Sequence, residues 1–201
     1  IQFVVVCVIK IYKGVAPEIL WMSHTSLLCA GVGLLARSRF LVGTAYVAIF
    51  CLHTMWLVDC LTLIVTGRSP LAITAYLAEA DRWSWVATSH HFYLAPALAV
   101  AVYRVRSLPA TCLLGAVAMY MVLTVVCRAV SPRGLNVNYA YGVGASPRWE
   151  LIDRINLLPD TVYLLVLNAG VALLFFLPAF AGIRLLMARR RVMRDGAQPN
   201  A

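Results

Sequence analysis

The sequence predicts an all-α, polytopic membrane helix bundle with six transmembrane segments, the first of them truncated. Three observations predict it. Of 201 residues, 62% are hydrophobic and only 12% are charged, against roughly 45–50% and about 25% in a soluble domain. The apolar residues form continuous runs without the period-two alternation of a barrel strand. The cations fall in short clusters between those runs. In water such a chain would expose large apolar patches, and it is too hydrophobic for disorder. Its six cysteines sit inside apolar runs and form no CxxC, which argues against a disulfide scaffold.

The segments follow in order. Ile1 to about Tyr12 is apolar but too short to span, so the chain is expected to start inside a helix. The next runs are about Ile19 to Ala36, Phe40 to Val65, Trp85 to Tyr103, Pro109 to Cys127 and Thr161 to Met187. Each of these five reaches the roughly 17–25 residues that cross a bilayer. The bundle is expected over residues 1–187, and residues 188–201 read as a basic cytoplasmic tail.

Arginine sets the orientation. The net charge of +9 comes from Lys10, Lys13 and fifteen Arg. Arg37 with Arg39, Arg104 with Arg106, and the group Arg184, Arg189, Arg190, Arg191 and Arg194 share one side of a six-span chain. The opposite side is mixed in charge. The positive-inside rule then puts both termini in the cytoplasm. A nucleic-acid binder would gather its cations on one soluble face, so the expected partners are the lipid bilayer and other membrane subunits, with no nucleic acid. Two outer loops, Thr66–Ser84 and Arg128–Pro159, are rich in Gly, Pro, Ser and Asn. Leu71–Glu79 reads as a short interfacial helix. Trp21, Trp56, Trp83, Trp85 and Trp149 suit an outer aromatic belt.

Polar groups inside apolar spans are costly and therefore informative. The second run carries Ser23, His24, Thr25 and Ser26; the third carries Thr44, His53, Thr54 and Asp59; the fourth carries Thr88, Ser89, His90 and His91; the last carries Asn168. At about 1.5 Å per residue, His24, His90, His91 and Asp59 lie roughly 8–10 Å below the outer boundary. His53 and Asn168 lie deeper. Agreement in depth predicts one outward-opening polar pocket, with His24, His53, Asn138 and Asn168 in its wall. Asp59 needs a partner, expected to be His24, His90 or His91. An Asp–His pair beside a Ser or Thr is a nucleophile–base–orienter set. No HExxH and no His pair at i, i+4 is present, and His90 and His91 point about 100° apart on a helix. No metal site is therefore expected. The cofactor is left unassigned, although a haem or pigment needs only one buried His.

His24 to Phe40 (HisThrSerLeuLeuCysAlaGlyValGlyLeuLeuAlaArgSerArgPhe), Ser89 to Ala97 (SerHisHisPheTyrLeuAlaProAla), the Asn138–Asp153 loop and the closing LeuPhePheLeuPro together resemble the YwaF-like bacterial integral membrane proteins. That six-span plan is similar in turn to the androgen-induced type of membrane lipid hydrolase and to a related acyltransferase group. The resemblance implies a His base and a hydroxyl or thiol nucleophile acting on lipid acyl esters. Here the base would be His90 or His91 and the nucleophile Thr25 or Ser23, in a bacterial inner membrane; Asp59, from the reading of its own span, would orient the base. The first functional reading is thus a lipid acyl hydrolase or acyltransferase. The second is a noncatalytic accessory subunit of a membrane complex, holding a haem or pigment through a His. The third is a small-solute transporter.

Overall fold

The computed structural model describes residues 1–143 and 150–195, with side chains to residue 190. Trp149, Arg148 and residues 196–201, read above as loop, belt and tail, lie outside the described residues. Among the described residues there is no strand. Helix α1 is Gln2–Tyr12, α2 Met22–Leu35, α3 Arg39–Thr66, α4 Arg82–Thr88, α5 His90–Val105, α6 Ala110–Val130, α7 Glu150–Asn156, α8 Asp160–Val171 and α9 Leu177–Asp195. A π-helical stretch, Ala172–Phe176, joins α8 to α9.

Local chemistry sets the boundaries. Ser38 caps α3 by accepting from the Leu41 amide, and Asp81 caps α4 by accepting from the Ser84 amide. Gly67 ends α3 in the left-handed conformation, with φ 70°. Three elements are shorter than the sequence suggests. Pro17 sits in the first turn of a 3-10 segment, Ala16–Leu20, so α2 starts only at Met22. The fourth apolar run breaks at Ser89 into α4 and α5, where the His90 and His91 rings bond the last carbonyls of α4. The expected interfacial helix shrinks to a 3-10 turn, Ala75–Glu79.

Three helices are long and apolar enough to cross a membrane: α3 with 28 residues, α6 with 21, and the continuous Asp160–Arg190 with 31. At about 1.5 Å per residue, each exceeds a hydrocarbon core of about 30 Å. Helices α1, α2 and α5 are shorter, at 11, 14 and 16 residues.

Helix α3 is the axis of the bundle, packed by α2, α5, α6 and the α8–α9 rod. Its Ala45, Tyr46, Val47, Ala48 and Ile49 are fully buried in the main core. Large apolar side chains elsewhere face outward, among them Val58, Leu114, Val122, Leu165 and Leu173. In water that surface would be unfavourable; in lipid it is not. One end of the bundle carries arginine. Arg37 and Arg106 close α2 and α5, and Arg190 stacks over the Tyr103 ring at 4.8 Å. The other end carries charge pairs: Lys10 with Glu18, Lys13 with Asp81, and Arg128 with Asp160. The Lys13 ammonium holds the Asp81 carboxyl down at about 2. That pair ties α1 to α4, and Gln2 adds a second tie by donating to the Val86 carbonyl and the Ser89 hydroxyl.

Helices α3 and α6 meet through glycines. A Cβ on Gly43 would lie 2.6 Å from Cys112 Sγ, and one on Gly115 would lie 2.7 Å from Thr44 Oγ1. Small residues permit such close crossing in membrane bundles. Gly43→Ala is expected to destabilise the protein by about 1–3 kcal/mol through overpacking. Gly170, with nothing within 4 Å of a built Cβ, should tolerate Ala. Thermal unfolding of both variants in detergent checks the difference.

Candidate functional site

Four imidazoles converge from three helices. His24 comes from the first turn of α2, His53 from the middle of α3, and His90 with His91 from the start of α5. Ring centroids are 5.2 Å apart for His24–His90, 5.7 Å for His53–His90, and 4.2 Å for both His53–His91 and His90–His91. His24, His53 and His90 are buried and His91 is partly buried. One ring nitrogen from each of His53, His90 and His91 lies within 4.8 Å of the other two.

The hydrogen bonds fix how the rings are presented. Nδ1 of His24 meets the Glu18 carbonyl at 2.8 Å, Nδ1 of His90 the Ala87 carbonyl at 2.9 Å, and Nδ1 of His91 the Thr88 carbonyl at 2.9 Å. A carbonyl oxygen only accepts, so Nδ1 carries the proton in all three. In the neutral rings the lone pair then sits on Nε2. Nε2 of His90 is buried without a partner, and so are both nitrogens of His53. Buried polar atoms are nearly always satisfied, so this group of orphans in one place is unusual. Histidine Nδ1–H bonded to a backbone carbonyl, with Nε2 free, is the arrangement that orients metal-ligating imidazoles.

The set that can hold an ion is His53, His90 and His91. Nitrogen ligands about 2.0–2.1 Å from a tetrahedral ion lie about 3.3 Å apart. The present spacing, within 4.8 Å, must shorten toward that value for an ion to bind. His53 and His91 are stacked at an interplanar angle of 29°, so one of the two must turn. Adjacency in sequence does not keep His90 and His91 apart. Each ring folds back onto the carbonyl three residues before it, and this brings the pair together.

The other predicted residues lie elsewhere. Asp59 is fully buried, as expected of a costly group, but its partners are not imidazoles. Oδ1 accepts from the Leu71 amide at 2.8 Å. Oδ2 accepts from Ser69 Oγ at 2.6 Å and from the Thr74 amide and hydroxyl at 2.9 and 2.8 Å. It therefore holds the loop that follows α3, about two turns beyond His53 along that helix. The Thr25 hydroxyl donates back to the Trp21 carbonyl at 3.3 Å. Among the described residues no hydroxyl, including that of Ser23, hydrogen-bonds to any of the four rings. Asn138 accepts from the Met22 amide at the start of α2 and donates to the Leu20 carbonyl, locking the loop that follows α6 onto that helix. Asn168 donates to Thr124 Oγ1, clamping α8 to α6. It lines a groove of about 320 Å³ shared with Met121, Leu164, Arg128 and Asp160, none of which belongs to the histidine cluster.

Sequence reasoning missed Trp56. It is buried, not in an outer belt, and its indole stacks on the His91 ring at 4.4 Å. Its spacing of three residues from His53 puts both on one helix face, which was the available signal. No family model, curated protein or solved structure matches the chain.

Asp59 yields a test that separates its two roles. Asn supplies one acceptor oxygen where the carboxylate supplies two, and hydrogen bonds to a charged group contribute roughly 1.5–3 kcal/mol each. Asp59→Asn is therefore expected to lower hydrogen-exchange protection at the Leu71 and Thr74 amides at least about tenfold, with the histidine tautomers unchanged. Altered tautomers with an intact loop would instead make Asp59 the orienter of a ring.

Proposed function

We propose that this chain is a membrane-embedded metal-holding protein whose His53, His90 and His91 bind one transition-metal ion, with His24 beside them. One observation carries the reading: a ring nitrogen from each of His53, His90 and His91 lies within 4.8 Å of the other two, both nitrogens of His53 and Nε2 of His90 are buried without partners, and neighbouring backbone carbonyls fix the rings of His90 and His91. Imidazole is a common ligand for zinc, copper, iron and nickel. The packing favours a bare ion over a haem, because three stacked or tilted rings with mutual contacts leave no slot for a porphyrin plane. An acyl hydrolase is less well supported, since the Thr25 hydroxyl is committed to a carbonyl.

The same proposal includes a six-span path in a bacterial inner membrane, following the plan of the YwaF-like proteins, with both termini cytoplasmic. The arginine-bearing end and the ion-paired end of the bundle support that orientation. In a background without other cysteines, Ala36→Cys should react with an impermeant thiol reagent only after the cells are opened. Arg68→Cys should react in intact cells. The reverse pattern contradicts the orientation.

The metal reading is tested on purified protein stripped with a chelator and titrated in turn with Zn²⁺, Co²⁺ and, without oxygen, Cu⁺. At least one ion should bind at one equivalent. His53→Ala or His91→Ala should weaken it by more than the roughly 10–100-fold lost when only an outer partner of a ligand is removed. If none binds in a histidine-dependent way, the reading fails.

A further inference from the structure

We infer that the histidine centre selects monovalent copper over divalent zinc. The inference rests on the metal-holding reading and names the ion. Its basis is the absence of an anion among the candidate ligands. His53, His90 and His91 are neutral donors, and the ring beside them, His24, carries no negative charge either. The two nearest acids along these elements are already engaged. Asp59 accepts four hydrogen bonds from Ser69, Leu71 and Thr74. Glu18 is paired with Lys10. The six cysteines are free, but none joins the cluster.

With neutral ligands the whole charge of the ion stays in the site. The Born cost of placing an ion in a low-dielectric interior rises as the square of its charge, so a monovalent ion costs about a quarter of what a divalent ion of the same size does. Zinc in a three-imidazole site also keeps a fourth position, normally filled by water or hydroxide. Here the Trp56 indole stacks against His91, and Phe92 packs edge-on to Trp56, so that side of the cluster is walled by apolar rings that offer no anionic ligand. Cu⁺ has a filled d shell and accepts three neutral donors without an anion or a fourth ligand. The presented geometry, with His90 and His91 held by Ala87 and Thr88 and both nitrogens of His53 unpartnered, offers those three donors.

The experiment uses the full-length protein in detergent under nitrogen. It is loaded with one equivalent of Cu⁺ as its acetonitrile complex, then challenged with about a 100-fold excess of Zn²⁺, an excess large enough to expose a preference for the divalent ion. X-ray absorption reads the donor atoms, and a thiol titration before and after loading counts the cysteines. The expected result is copper retained, three nitrogen donors, and no thiol lost. Wild-type protein suffices for this reading; His91→Gln, which keeps a polar side chain beside Trp56, should lose the copper and stay folded. Displacement by zinc overturns the selectivity and leaves the metal-holding reading standing. Sulfur donors, or loss of free thiols on loading, overturn it in favour of cysteine binding. Failure of both ions to bind overturns this inference and the reading beneath it.

Discussion

Three hydrogen bonds from imidazole Nδ1–H to backbone carbonyls govern the middle of this protein. Each uses a carbonyl at an irregular point in a helix: Glu18 in the 3-10 turn before α2, and Ala87 and Thr88 at the end of α4. Each fixes a ring orientation and leaves Nε2 without a proton in the neutral ring. Nε2 of His90 is buried without a partner, and His53 arrives from α3 with both nitrogens unpartnered. A buried polar atom without a partner is a free-energy cost of about 1–3 kcal/mol. Concentrating such atoms in one place is a burden on the fold, and a bound ion would relieve it.

The loops that follow α3 and α6 brace that arrangement without taking part in it. Asp59 gathers the turn from Ser69 to Thr74 over the end of α3. Asn138 pins the second loop to the start of α2, and Tyr120 donates to the Asn138 carbonyl from α6. Asn138 stands at φ 54° and Tyr139 at φ 57°, a left-handed conformation uncommon for residues with side chains. The hydrogen bonds to Leu20 and Met22 hold that local strain in place. With the loops so anchored, α2 and α5 present their histidines to α3 at one level. The glycines at the α3–α6 crossing let α6 approach the opposite side.

Much of this was legible in the sequence. Continuous apolar runs gave helices close to those seen, and the cost of a buried carboxylate correctly marked Asp59 as buried. Depth reckoning placed His24, His90 and His91 together, but it set His53 lower, because it assumed that every segment began at the membrane boundary. Helix α3 runs on toward Thr66, beyond the level at which α2 and α5 start, so its midpoint meets their first turns. The break at Ser89 was hidden for a similar reason. Apolar periodicity does not register a ring that takes a carbonyl from the helix ladder. The partner of Asp59 was misjudged because a long-range imidazole was considered before the Ser, Thr and amide donors ten to fifteen residues away, and these local donors close the shorter loop.

With only four histidines in the chain, nitrogen-15 labelling of histidine alone gives a spectrum in which each ring can be assigned by single substitution. Solid-state NMR of the metal-free protein in lipid at neutral pH reports which nitrogen of each ring carries the proton. The account predicts the Nδ1–H tautomer for His24, His90 and His91, with Nε2 unprotonated in each, and a shift of the Nε2 signals of His90 and His91 when an ion is added. Nε2–H tautomers, or doubly protonated rings at these positions, would contradict it.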